Sequence, residues 1–105
     1  MTKSVAFNKR RFIFNLNLMV QYGFEPEIVF ECKDGKTRGI VAYSGWIDIY
    51  DENNNFVKRV QDINELFDVI SAKNIITAID DCGLNYSEDL SKNILIENGK
   101  LYLKL

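Results

Sequence analysis

The sequence predicts a small α+β domain: an antiparallel β-meander with two or three helices on one face and a C-terminal β-hairpin. Three observations predict it. An Asn-Gly pair at 98–99 stands between alternating apolar runs, four short strand-like runs lie between residues 27 and 60, and apolar stripes at helical spacing occupy residues 8–22 and 63–82. The 105 residues suit one domain spanning 1–105. A hydrophobic content of 47%, with seven Phe, five Tyr and one Trp, supplies a core without disulfides or metal.

Residues 8–22 carry two competing patterns. Phe12, Phe14, Leu16, Leu18, Val20 and Tyr22 alternate as a strand would, whereas Phe12, Leu16, Met19 and Val20 form a helical stripe. The Tyr22-Gly23-Phe24 ending favours the helix, because glycine followed by an apolar residue is a common helix terminator. A hairpin from Glu27 to Tyr43 is expected around Asp34-Gly35, pairing Glu31 with Arg38, Val29 with Ile40 and Ile28 with Val41. Gly39 would then face Phe30 and leave room for its ring. Strands Trp46–Tyr50 and Phe56–Val60 follow, joined by the polar turn 51–55.

Asp62 with Glu65 three residues on resembles a capping box, and Ile63, Leu66, Phe67 and Ile70 make an amphipathic helix. Ala72, Ile75, Ile76, Ile79 and Cys82 form an out-of-phase stripe, predicting a break near 71–74 and a second helix ending at Gly83, with Leu84 packing back on Ile79. In the C-terminal hairpin, a two-residue loop sets Glu97 opposite Lys100, Ile96 opposite Leu101 and Ile94 opposite Leu103. Ile94, Ile96, Leu101, Leu103 and Leu105 then share one face.

The chemistry is bounded by what is missing. With no histidine, imidazole-dependent triads and the common zinc ligand sets are excluded. Cys32 and Cys82 stand far apart and read as small core residues. Net charge is −2, with nine basic and seven acidic residues in 1–60 against four and eight in 61–105. That polarity is too weak for a nucleic-acid footprint. No stretch is long and apolar enough to span a membrane. The basic cluster Asn8-Lys9-Arg10-Arg11 follows residues 1–7 on the wrong side for a signal peptide, so a cytoplasmic location with reduced thiols is expected.

Several constellations resemble known sites in part. Asp51, Asn53, Asn55, Val57, Arg59 and Asp62 resemble the ligand positions of an EF-hand loop over twelve residues. Phe56 stands where that loop needs glycine and Asp62 replaces its glutamate, which favours an Asn-rich turn. Glu31-Cys32-Lys33 resembles the E-x-K half of the PD-(D/E)xK nucleases, but the upstream aspartate is missing. A helix-turn-helix reading is opposed by Asp80 and Asp81, which phosphates would repel. Those two acids, with Glu88 and Asp89, could form a patch for a basic partner. Trp46, Asp48 and Tyr50 share one strand face, with Tyr43 close by, which leaves Ile47 and Ile49 for the core.

The expected binding residues are therefore Trp46, Asp48, Tyr50, Tyr43, Asp80 and Asp81, with no catalytic group, metal or cofactor. The expected function is a non-enzymatic protein-binding module of a low-GC bacterium, phage or plasmid, in its sharpest form an anti-CRISPR-type inhibitor of a host defence nuclease. A carboxylate-based metal protein or Mg-dependent nuclease, and a small nucleic-acid-binding regulator, are the alternatives. Exposed sheet edges also favour a homodimer.

Overall fold

A computed structural model describes residues 6–104; the readings that fall on residues 1–5 and on Leu105 lie outside the described residues. The chain runs α1 (Lys9–Gln21), β1 (Glu27–Cys32), β2 (Thr37–Tyr43), β3 (Trp46–Tyr50), β4 (Phe56–Val60), α2 (Ile63–Val69), a 3-10 turn (Ala72–Asn74), β5 (Ile75–Asp80), β6 (Ile94–Glu97) and β7 (Lys100–Leu103). Five strands form one antiparallel sheet in the order β4-β3-β2-β1-β5, and β6 and β7 form a separate hairpin.

Residues 9–21 are helical because the stripe and both caps agree. The Asn8 side chain accepts from the Arg11 N–H at 2.9 Å, and Phe12, Asn15, Leu16 and Met19 face inward. At the other end the N–H of Phe24 donates to Met19 O and that of Gly23 to Val20 O, the paired bonds of a Schellman ending. Asn15 is buried because it ties the helix down: its Nδ2 donates to Tyr86 O and Glu88 O, each at 2.9 Å. The same helix carries Phe12 into an aromatic cluster with Phe7, Phe30, Phe67 and Tyr86, ring centroids 5.5–6.4 Å apart.

The first hairpin is shifted by one residue from the expected register. Ile28 opposes Ile40, Phe30 opposes Arg38 and Val29 opposes Gly39. The loop has three residues, with Gly35 at φ +84° and the Cys32 N–H donating to Lys36 O. That is a type I turn closed by a left-handed glycine, which competes with the two-residue loop. The core decides between them. Ile28, Phe30 and Cys32 must share a face with Ile40 and Ala42, and only this register puts all five inside. Arg38 consequently pairs with Asp34, at 2.9 and 3.2 Å, rather than with Glu31. Gly39 turns away from Phe30.

The second expected helix is a strand. Residues 75–79 pair with the open edge of β1, Phe30 opposite Ala78 and Val29 opposite Ile79. Ile75, Ile76, Thr77 and Ile79 are β-branched, so a pleated, half-buried site suits them better than a helix. Gly83 closes a tight turn, its N–H donating to Asp80 O, and the chain doubles back with Tyr86 N–H donating to Ala78 O. The break near 71–74 is present as the 3-10 turn. Cys32 is buried, whereas Cys82 is exposed at this turn and is not a core residue.

Helix α2 starts at Asp62, whose side chain accepts from the Asn64 N–H at 2.8 Å. The C-terminal hairpin has the expected register, with Asn98 and Gly99 at φ +53° and +74°. Leu101 is buried, but Ile96 remains exposed opposite it at the hairpin tip. Both helices pack on the sheet face formed by Ile28, Phe30, Ile40, Ala42, Ile47, Ile49 and Ala78. The Cα envelope measures 40 × 38 × 22 Å, room in its thin direction for one helical layer on one sheet. The other sheet face has no cover among the described residues.

Candidate functional site

The uncovered face reads directly from the registers. One row runs across all five strands as Ile79, Val29, Gly39, Tyr50 and Phe56. The next holds Glu27, Val41, Asp48 and Arg59, and beyond it lies the Tyr43–Trp46 pair. Val29 is 52% exposed and Phe56 57% exposed, high values for apolar side chains in a sheet. Thus Tyr43, Trp46, Asp48 and Tyr50 come together as the sequence predicts, and Ile47 and Ile49 lie in the core.

Asp48 lies on this open face and is nevertheless only 5% exposed. Arg59 on the edge strand reaches across, Nε at 2.7 Å from Oδ1 and Nη2 at 3.1 Å from Oδ2. Its guanidinium also lies 5.1 Å from the centroid of the Trp46 ring, and Trp46 stacks on Tyr43 at 4.9 Å. The result is a layered stack, Tyr43 on Trp46 on Arg59, with the carboxylate sealed beside it. Hydrogen bonding to Arg59 holds the Asp48 carboxyl below its ordinary value against the opposing effect of burial, and raises the guanidinium in turn. Desolvation, then the charges of Tyr50 and Asp48, raise the Tyr43 phenol.

The Trp46 Nε1–H is buried without a hydrogen-bond partner among the described residues. Trp46 and Tyr43 also wall a cleft of about 370 Å³ whose far side includes Leu16, Asn17 and Val20 of α1. At the outward-facing strand positions, Glu27, Glu31 and Asp48 are set against Arg59 alone as cation. Glu27 and Glu31 make no ion pair among the described residues.

Asp80 and Asp81 are at the opposite edge of the sheet, at the end of β5 rather than of a helix. Asp80 is buried with its carboxylate fully employed. It accepts from the Cys82 and Leu84 N–H groups at 2.9 Å each, and from the Tyr86 hydroxyl at 3.0 Å. Asp80, Asp81 and Cys82 bring potential ligand atoms within 4.8 Å of one another. They fit a metal poorly: the oxygens of Asp80 are taken by three hydrogen bonds, and partial desolvation with two neighbouring acids raises the Cys82 thiol away from the thiolate form. In the calcium-like loop, Asp51 spends Oδ1 on the N–H groups of Asn53 and Asn55, both at 2.9 Å.

Sequence reasoning missed Arg59, Val29, Glu27 and Phe56. For Arg59 a signal existed, since the turn 51–55 sets it opposite Asp48 as a cross-strand ion pair. Val29 and Glu27 depended on the hairpin register, which slipped by one. No protein family matches the chain, and no curated protein or solved structure matches it either. No helix among the described residues is long and apolar enough to cross a membrane.

Proposed function

We propose that this chain is a non-enzymatic protein-binding module that meets its partner through the open face of the five-stranded sheet. The observation that carries the reading is the exposed apolar row through Val29, Tyr50 and Phe56 beside the Tyr43–Trp46–Arg59 stack. Aromatic and arginine side chains in one well-packed patch are the usual anchors of interfaces. The free carboxylates of Glu27 and Glu31 favour a basic partner surface. A nucleic-acid-binding groove is such a surface, and that supports the sharper reading as an anti-CRISPR-type inhibitor of a host defence nuclease.

The test is retention of a protein from a bacterial lysate by the wild type and by a Trp46→Ala, Tyr50→Ala double variant of matched thermal midpoint. Loss of retention in the variant is expected; undiminished retention contradicts the reading. A second copy of the chain is the alternative occupant, favoured by the edge strand β4 with Phe56 and Val57 exposed. Light scattering that finds only monomer at high concentration removes it.

A further inference from the structure

Gly39 sits in the middle of the central strand β2, where a glycine weakens a sheet by offering no side chain to pack. Three internal reasons could require it, and none applies. Its φ is not in the left-handed region, in contrast to the turn glycines. A Cβ built there would meet only Ile28 O at 3.7 Å and Tyr50 Cβ at 4.0 Å, both ordinary contacts. No ring atom of Tyr50 comes within 4 Å to cover it, and that ring packs edge-to-face on Phe56 at 5.9 Å. At this position the open face holds a pit of about 300 Å³, whose lining includes Gly39, Val29, Val41, Tyr50, Glu27 and Asn54. A strand glycine with room above it for a side chain is a place where something outside the chain can approach closely.

We propose that this pit receives the side chain of a lysine or arginine from the partner protein. The inference rests on the open-face reading and gives that partner its chemistry. The methylene stem lies along Val29, Val41 and Tyr50, as long cationic side chains do on apolar surface. The charged head reaches Glu27, which lines the pit and makes no ion pair among the described residues. Glu31, four residues along the same strand face from Glu27, adds to the attraction, whereas Arg59 is occupied by Asp48. At about 300 Å³ the pit is at the small end of ligand clefts and has ample room for one long side chain.

The experiment is an NMR titration of the 15N-labelled full chain at low salt with three capped tripeptides as probes: acetyl-Gly-Lys-Gly-amide, acetyl-Gly-Arg-Gly-amide and acetyl-Gly-Glu-Gly-amide. The basic probes are expected to shift the amides of Val29, Gly39, Val41 and Tyr50, and the acidic probe to leave them in place. Gly39→Val narrows the pit with a strand-favouring side chain, so its thermal midpoint should equal or exceed the wild type while the response to the basic probes weakens about tenfold or more. Glu27→Gln, which leaves the pit open, should weaken it several-fold. Equal shifts with all three probes, no shift at these four amides, or a response that survives Gly39→Val each overturns the inference. Retention of a lysate protein that depends on Trp46 and Tyr50 but not on Gly39 overturns the pit while leaving the open-face reading in place.

Discussion

Arg59 holds Asp48 with two hydrogen bonds, at 2.7 and 3.1 Å, while its guanidinium covers the Trp46 ring at 5.1 Å. One side chain thus neutralises a buried carboxylate and completes the aromatic stack of the open face. Removing it strips Asp48 of its partner and its cover together, leaving the carboxylate unpaired but open to solvent on the uncovered face, so the loss is modest. Arg59→Ala should lower the thermal midpoint by a few degrees at most. Arg59→Lys should recover only part of the loss, because an ammonium cannot reproduce the two-pronged geometry. Calorimetry of the two variants checks both statements.

The same pair gives the stability an acid limb. Asp48 is held below its ordinary carboxyl value in the folded state, so the unfolded chain takes up its proton first as pH falls. The stabilisation is therefore complete above the unfolded carboxyl value, near pH 4, and is lost as pH drops through the lowered folded value. Asp34, held down mainly by Arg38, and Asp89, held down by the Ser91 N–H, add in the same direction. Wild type and Asp48→Asn should differ in thermal midpoint at pH 7 and converge as pH falls below the ordinary carboxylate range. A difference that persists unchanged at acid pH contradicts the assignment.

Tyr86 and Asp80 set an alkaline limb. The phenol is fully buried and donates to Asp80 at 3.0 Å; burial first, and then the neighbouring carboxylate, push its ionisation well above the usual 10.0. Unfolded chains ionise near that usual value while the folded state keeps its proton, so stability falls as pH rises past about 10. Tyr86→Phe should cost about 1–2 kcal/mol at neutral pH and flatten the alkaline decline. Asp80→Ala, which strands two backbone N–H groups as well, should cost about 3 kcal/mol. Urea unfolding at pH 7 and pH 11 measures both.

Divalent ions should leave the protein unmoved. Asp51 already accepts two backbone N–H groups within its turn, and Asp80 three donors at its own. A specific ion site would raise the thermal midpoint with ligand concentration. Millimolar Ca²⁺ or Mg²⁺ should shift it by less than a degree. A saturable rise abolished by Asp51→Ala contradicts this.

The fold was legible where local signals were redundant. Asn98-Gly99 fixed its hairpin because turn type, alternation and the Glu97–Lys100 pair all agreed. Residues 8–22 resolved as a helix because Asn8 and Gly23 cap it, outweighing the strand-like alternation of Phe14 and Leu18. Residues 75–82 were not legible, since spacings of one and three among apolar residues satisfy a helix and a bulged strand alike. What decided them was the unpaired edge of β1, a tertiary fact. The open-face patch was half legible: Trp46, Asp48 and Tyr50 follow from strand parity alone. Glu27, Val29 and the pit at Gly39 required a register that hangs on one extra loop residue at Lys33 to Gly35.

The most direct test of the open sheet face as the contact surface compares the loss of aromatic rings on two different sides of the molecule. Tyr50→Ala with Phe56→Ala strips the open face; Phe14→Ala strips the outward side of α1, where that ring is 66% exposed. With thermal midpoints matched to the wild type, quantitative retention of the captured partner should collapse in the first variant and persist in the second. Retention that survives loss of Tyr50 and Phe56, or that fails on loss of Phe14, would contradict the account.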